Sequence, residues 1–421
     1  MTDSSPAPDD SPIDGRYAWF RLAITLTAAM VGGVGLWSVV VVLPRVEAEF
    51  GADRAAASLP YAFTMLGFAF GGIMMGRLVD RYGVLRPLIF GACCIALGYI
   101  GTGMAQSLWQ FTVGHALLIG LLGSSITFGP LIADVSHWFE KRRGIAVAVA
   151  ASGSYLAGTV WPPIVEAMMD SIGWRQTHMA IGLFALVTLI PLAFLLRRRP
   201  PHQTISATRS ATAPHAEPRL LDTGLPQPVL QGLLIVAGFA CCVAMSMPQV
   251  HIVAYCLDLG IDSGRGAEML SLMLATGIVS RLAFGAIADR IGPFKTLLVA
   301  SGLQTLALLL FLPFDSLFSL YVVSALFGLS QGGIVPTYAL IIRKVFPSSQ
   351  AGTRVSIVLA ATMIGMGAGG WISGALYDLT LSYQAAFLNG VAWNVLNIVI
   401  AVFLLNRISG ASGGRGAALA T

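Results

Sequence analysis

The sequence predicts an all-α membrane protein in which twelve transmembrane helices form two pseudo-symmetric six-helix bundles. Three observations carry that expectation. Of 421 residues, 56% are hydrophobic and only 11% charged, with a mean hydropathy of +0.78; soluble domains carry about 25% charged residues. A soluble chain this apolar has no surface to show water, so lipid must be its solvent for much of its length. Second, Lys and Arg crowd into alternate loops. Third, a motif that closes the second apolar segment returns at the end of the eighth.

A bilayer span takes about 20 mainly apolar residues. Twelve such segments lie at 19–43, 58–79, 86–105, 108–135, 143–168, 177–196, 229–254, 267–288, 294–312, 316–342, 354–376 and 383–405. Pro44 follows the first and Pro313 the ninth as turn signals. The N-terminal stretch is polar and acidic, unlike a cleavable signal peptide, so the first segment is expected to stay as an anchor. Arg197–Leu225 is the one long polar break, an Arg-Arg-Arg-Pro-Pro-His run followed by Ser, Thr, Ala and Pro, which suits a flexible linker. The expected organisation is a disordered cytoplasmic tail at 1–18, one bundle at 19–196, a cytoplasmic linker at 197–228, a second bundle at 229–406 and a cytoplasmic tail at 407–421.

Positive charge orients the helices. With both termini inside, the inner loops and tails hold 20 of the 25 Lys and Arg, and the outer loops hold Arg45, Arg54, Arg175 and Arg265. That asymmetry is the positive-inside signature and predicts cytoplasmic termini; the expected location is the cell (inner) membrane. The net charge of +5 is therefore topological, and nucleic acid is not an expected partner. The cysteines, Cys93, Cys94, Cys241, Cys242 and Cys256, sit in apolar segments without CxxC spacing and read as small apolar side chains.

Gly76-Arg-Leu-Val-Asp-Arg-Tyr-Gly83 and Gly285-Ala-Ile-Ala-Asp-Arg-Ile-Gly292 share the pattern G-x-h-h-D-R-h-G and lie 209 residues apart. Two related halves around a linker are the plan of alternating-access carriers, whose site lies between the repeats. Both copies resemble the signature loop of the major facilitator superfamily. The usual basic residue after the second glycine is absent, replaced by Val84 and Pro293. A second stretch, Trp138-Phe-Glu-Lys-Arg-Arg-Gly and the Ala- and Gly-rich helix after it, resembles the monocarboxylate transporter family. The resemblance covers 19–405 and implies a twelve-helix carrier working by alternating access. It also aligns Arg281 with the substrate arginine of that family and of the oxalate/formate antiporter.

Arg281 stands out without any resemblance. It lies inside the eighth apolar segment, eight residues before Asp289, about 12 Å at 1.5 Å per residue. A charge near the bilayer centre costs roughly 2.5–3.5 kcal/mol on insertion scales and marks function. A guanidinium is a planar fork that fits a carboxylate bidentately. The repeat offset puts Gly72 at the matching place of the other half, so one half carries a cation and the other leaves space. The oxalate antiporter adds a lysine in its eleventh helix; here that helix has no interior Lys or Arg, which favours a monocarboxylate over a dicarboxylate. The animal relatives' Asp four residues before the arginine is Gly277 here, and the first helix interior has no lysine, so their proton route does not transfer.

Other cavity candidates at mid-helix depth are Trp37, Ser38, Tyr155, Gln249, Gln331 and Tyr338. His115 and His251 are candidates for proton coupling, since histidine titrates near physiological pH. Asp134 is expected to pair with an inner-face arginine. Asp80 and Asp289, with Arg81 and Arg290, are expected to serve the inner loops by capping neighbouring helices. Glu166 and Glu268 are expected at the outer surface, solvated. Gly365, Gly367, Gly369, Gly370 and Gly374 are expected to let helices approach closely.

No cluster has metal or nucleophile spacing, and the Gly-x-Gly pairs lack a Walker lysine, so neither an enzyme nor a cofactor is expected. The expected function is secondary transport of a small organic anion, a monocarboxylate with H⁺, by a monomer in the lipid bilayer. Alternatives are an organic-anion exchanger or a metabolite or drug exporter of the same fold, and, in another class, a non-transporting membrane sensor.

Overall fold

The computed structural model describes residues 13–198, 221 and 223–418, without the side chains of 348, 349 and 409–418. The N-terminal tail to residue 12, the linker at 199–220 and 222, and residues 419–421 lie outside the described residues. Among the described residues every regular element is helical. Twelve helices are long and apolar enough to cross a membrane: α1 Arg16–Phe50, α2 Arg54–Tyr82, α3 Leu85–Gly103, α4 Leu108–Ser136, α5 Arg143–Ile172, α6 Trp174–Leu195, α7 Gln227–Asp258, α8 Ser263–Ile291, α9 Pro293–Leu310, α10 Leu317–Val345, α11 Gln350–Thr380 and α12 Tyr383–Ile408. The chain is thus an all-α membrane protein.

The first span corrects the sequence reading. Pro44 lies within α1, which runs on to Phe50 and stops at Gly51, where φ is +60°. A membrane helix tolerates proline because neighbouring groups re-satisfy the freed carbonyl. The real interruption in α1 is at Gly33, between segments Arg16–Gly32 and Val34–Phe50. A Cβ at Gly33 would lie 2.8 Å from that of Ala157, so glycine is needed where α1 meets α5.

Four spans are broken near mid-length. Besides α1, α4 passes through a π-helical stretch at Gly114–Gly123 and a 3₁₀ turn at Ser124–Thr127. α5 is interrupted at Ser152, and α10 between Gln331 and Ile334. Each break frees carbonyls that a continuous helix would have used.

Residues of α1–α6 meet residues of α7–α12 mainly along two seams, α2 against α11 and α5 against α8, with a smaller contact of α1 on α7. The α2–α11 seam is closed by glycine: a Cβ at Gly367 would be 2.8 Å from the Ala62 carbonyl, and one at Gly374 would be 2.7 Å from that of Arg54. In the α5–α8 seam Gly158 packs on Trp37 and Leu274, and Gly277 on Tyr155. These contacts run from the end that charge asymmetry assigns to the outside down to the level of Arg281. Toward the other end, a Cβ at Gly72, Gly76, Gly144, Gly285 or Gly352 would meet nothing within 4 Å. With the ends named by that charge assignment, the glycine contacts close the seams toward the outer end, and these five glycines have open space toward the inner one.

At the inner end of α4 the aromatic pair Trp138 and Phe139 is buried in a small separate core with Ala18, Leu22 and Val135. The loop after it is held by Asp14, whose carboxylate accepts the N–H groups of Glu140 and Lys141. Partial burial works to raise the Asp14 pKa, but those N–H groups outweigh it and hold the carboxyl below its usual value.

Candidate functional site

Arg281 sits ten residues before the inner end of α8 at Ile291, about 15 Å along the axis. Its Nη1 donates to the Ala151 carbonyl at 2.7 Å, and its Nε to the Gly332 carbonyl at 3.4 Å. Both acceptors lie where a helix is interrupted, Ala151 in α5 and Gly332 in α10. The guanidinium carbon lies 4.3 Å from the Tyr155 ring centroid, a cation–π contact. Arg281 is half-buried, and no carboxylate among the described residues is within ion-pairing distance of it. Two of its five N–H donors are taken by carbonyls. The charge is uncompensated, at the point where the sealed seam ends.

Of the six expected cavity residues, the structure gathers four around this point. Tyr155 stacks on the guanidinium, and Gly277, one turn before Arg281, makes room for its ring: a Cβ there would be 2.5 Å from Tyr155 Cε1. Trp37 donates its indole N–H to the Ser154 carbonyl at 2.9 Å. Gln249 of α7 donates to Gln331 of α10 at 2.7 Å, and Gln331 directly precedes the Gly332 that Arg281 holds. Tyr338 is not part of this group. It is fully buried and its hydroxyl donates to Asn397 of α12, inside the second bundle. Ser38 pairs with the Tyr99 hydroxyl at 2.6 Å, facing α3.

The two histidines occupy different places. His115 is buried within the first bundle beside Phe111, Tyr99 and His178, with no hydrogen bond on either ring nitrogen among the described residues. His178, absent from the sequence reading, bonds Thr102 at 3.0 Å. His251 lies in the outer seal, its Nε2 on the Gly370 carbonyl at 2.8 Å and its Nδ1 3.4 Å from the Tyr383 hydroxyl. A carbonyl accepts only from N–H, so Nε2 carries the hydrogen.

At the inner end Asp134 pairs with Arg21 at 2.8 Å, and Arg21 also donates to the Leu196 carbonyl. Asp80 lines a cavity of about 210 Å³ with Arg21, Arg86, Asp134, His137, Arg197 and Arg198. Neither Asp80 nor Asp289 caps a helix among the described residues: the N-termini of α3 and α9 have no side-chain cap. Arg81 rests on the Tyr82 ring at 5.3 Å, while Asp289 and Arg290 are exposed.

The outer seal contains charged residues that the sequence reading placed in an outer loop or at the outer surface. Arg54 opens α2 and is only 8% exposed. Its guanidinium reaches Glu47 at 2.8 Å, Asp258 at 3.2 Å and the Tyr383 hydroxyl at 2.5 Å, and lies 4.5 Å from the Tyr377 ring centroid. Across the same seam Asp378 of α11 accepts the backbone N–H groups of Arg54 and Ala55, capping α2 from the other half. Glu166 corrects a second expectation: it is 2% exposed, paired to Arg45 through both oxygens, and bonded by the Ser263 hydroxyl from α8. Glu268 is exposed, as expected, and held by Arg265 and Tyr321. No group of three or more metal-ligating side chains occurs among the described residues.

Two helical bundles with an unmatched charge at their seam have the architecture of a membrane carrier, and the comparisons give the family. The model of the Major Facilitator Superfamily matches residues 25–319 and 282–418. The chain belongs to that superfamily. It is 27% identical over 311 residues to the MFS-type transporter pynF of Aspergillus niger, covering 73% of this chain and 68% of that protein. It is 26% identical to the agnestins efflux protein AgnL12 of Paecilomyces divaricatus, covering 74% and 70%. It is also 26% identical to monocarboxylate transporter 13 of Rattus norvegicus, over 89% of this chain and 86% of that one. Among solved structures a peptide transporter POT superposes with a TM-score of 0.73 at 15% identity, over 96% of this chain and 97% of that one; the likeness is one of fold.

Proposed function

We propose that this transporter is a secondary carrier of a small organic acid, a monocarboxylate taken with H⁺, and that Arg281 binds the carboxylate. The observation that carries the reading is the uncompensated guanidinium at the inner limit of the sealed seam. It is held in place by carbonyls, which orient it without neutralising it. Its remaining N–H groups suit a carboxylate, and the arriving anion supplies the missing charge. Tyr155 fixes the plane of the fork from one side, and Trp37 forms an apolar wall nearby. Alternating access then follows from the seam: sealed outside, open inside, with the charge between.

In this reading the outer seal also senses protonation. Arg54 donates to the Tyr383 oxygen, the Tyr383 hydroxyl donates to Nδ1 of His251, and Nε2–H of His251 donates to Gly370. A proton arriving on Nδ1 turns that nitrogen into a donor. It then competes with Arg54 for the Tyr383 oxygen and loosens the latch. One proton with one monoanion moves no net charge, so the membrane potential does not oppose the step. The organisation into bundles at 19–196 and 229–406 with cytoplasmic termini belongs to the same proposal.

An acidic metabolite leaving the cell would use the same site, and the relative named as an agnestins efflux protein favours export as a second direction. The test is uptake of a panel of carboxylic acids by proteoliposomes. Arg281→Ala is expected to lower flux about 100-fold or more and Arg281→Lys about tenfold, because lysine keeps the charge and loses the fork. Wild-type flux in both variants overturns the carboxylate role. An inward proton gradient is expected to accelerate wild-type uptake and to have little effect on His251→Gln; flux indifferent to pH but driven by a counter-substrate replaces symport with exchange.

A further inference from the structure

The Gln249–Gln331 pair is only half used. Two facing amides offer two carbonyl oxygens and two NH₂ groups. Here one hydrogen bond joins them, from Gln249 Nε2 to Gln331 Oε1 at 2.7 Å. Gln249 Oε1 and Gln331 Nε2 have no partner among the described residues, although the two side chains are 2% and 0% exposed. Exchanging O and N on both amides reverses the bond but leaves the same remainder, one acceptor and one donor. Buried polar atoms without partners are uncommon, and each calls for an explanation.

Their location supplies one. Gln331 is followed by Gly332, whose carbonyl receives Arg281 Nε. Where α10 passes α8 the backbones nearly touch: a Cβ at Gly332 would be 3.0 Å from the Arg281 nitrogen and 2.9 Å from Ser280 Cβ. The Ser280 hydroxyl, 2% exposed, is unpartnered as well. α8 and α10 start at the outer end, and side chains lean toward a helix's N-terminus, so Arg281 and Gln331 both lean outward. Gln249, on α7, leans inward to meet Gln331. Gln331 stands 14 residues from the start of α10 and Gln249 nine from the end of α7, against 18 for Arg281 from the start of α8, so the amide pair lies on the sealed side of the guanidinium.

We propose that this pair reads a second polar group on the substrate, and that the acid carried bears a hydroxyl close to its carboxylate. The inference rests on the reading of Arg281 as the carboxylate site. A hydroxyl both donates and accepts, so it satisfies Gln249 Oε1 and Gln331 Nε2 together. A ketone accepts only, and leaves Oε1 unmatched. A bare alkyl chain leaves both unmatched. A site with buried polar groups discriminates against ligands lacking their partners far more strongly than an apolar pocket discriminates by size.

The test is uptake by the full-length chain in proteoliposomes of 2-hydroxypropanoate, 2-oxopropanoate and propanoate. A larger matched pair, 2-hydroxy-3-phenylpropanoate and 3-phenylpropanoate, covers a roomier site. Wild type is expected to take each hydroxy acid about tenfold faster, at subsaturating concentration, than its deoxy partner, with the keto acid between. Replacing both amides by similar apolar side chains, Gln249→Met with Gln331→Met, is expected to bring the hydroxy-to-deoxy ratio to about one while deoxy-acid uptake persists, which also reports folding. Equal uptake of hydroxy and deoxy acids by wild type overturns the inference and needs no variant. So does an unchanged ratio in the double variant. A hydroxyl preference that survives Arg281→Ala at wild-type flux removes the carboxylate reading instead, and no saturable uptake of any of the five acids removes both.

Discussion

The outer seal and the Arg281 level treat positive charge in opposite ways. At the outer end Arg54 meets Glu47 and Asp258, and Arg45 meets Glu166 and Asp170. Every such guanidinium is neutralised, and the Arg54 contacts to Asp258 and Tyr383 cross between the halves. At Arg281 the partners are two carbonyls and an aromatic ring. Matched charge makes a latch, whose energy is internal to the protein. In the proposed reading the unmatched charge is the binding site, whose missing half arrives from outside. Both arrangements use the same residue type, so the partners decide the role.

The strongest way to break the comparison is to remove each arginine and measure stability rather than flux. Arg54→Gln strands Glu47 and Asp258, and losing one partner of a buried ion pair costs about 3–5 kcal/mol. The purified variant is expected to melt at lower temperature, and Cys256, buried two residues before Asp258 in α7, to become reactive to an impermeant thiol reagent. Arg281→Gln strands no carboxylate and is expected to melt close to wild type. If Arg54→Gln leaves melting and labelling unchanged, the seal is not held by these pairs.

A smaller effect sharpens the contrast between the two halves of the repeat. Gly277→Ala places a methyl 2.5 Å from the Tyr155 ring, which must move off the guanidinium. Overpacking of this kind costs typically 1–3 kcal/mol, and here it is expected to weaken acid binding about tenfold. Gly72→Ala, at the repeat-related position of Arg281, meets nothing within 4 Å and is expected to leave uptake unchanged. Equal effects at the two glycines would mean that the Tyr155 contact does not matter.

Much of the architecture was legible because it is written in local composition. The spans follow from apolar length, the halves from the repeated G-x-h-h-D-R-h-G loop, and Arg281 from its isolation among apolar neighbours. Even Gly367, Gly370 and Gly374 pointed to close approach, and they line the α2–α11 seam. The outer latch was not legible. Arg54 sits in Gly-Ala-Asp-Arg-Ala, which reads as an outer loop charge, and its partners lie as far away as Asp378 and Tyr383. Glu166 was misplaced for the same reason: nothing near it in sequence announces Arg45 or Ser263. Pro44 misled because a turn residue in water is tolerated inside a membrane helix. The breaks that free the Ala151 and Gly332 carbonyls have only glycine and serine as local signals, and this chain is rich in both.

Binding of a labelled 2-hydroxy acid to the purified protein is the most direct measurement. The account predicts saturable binding to wild type, a lower affinity for Arg281→Lys, and none for Arg281→Ala at concentrations where that variant still melts as wild type does. Unaltered affinity in a folded Arg281→Ala would contradict it.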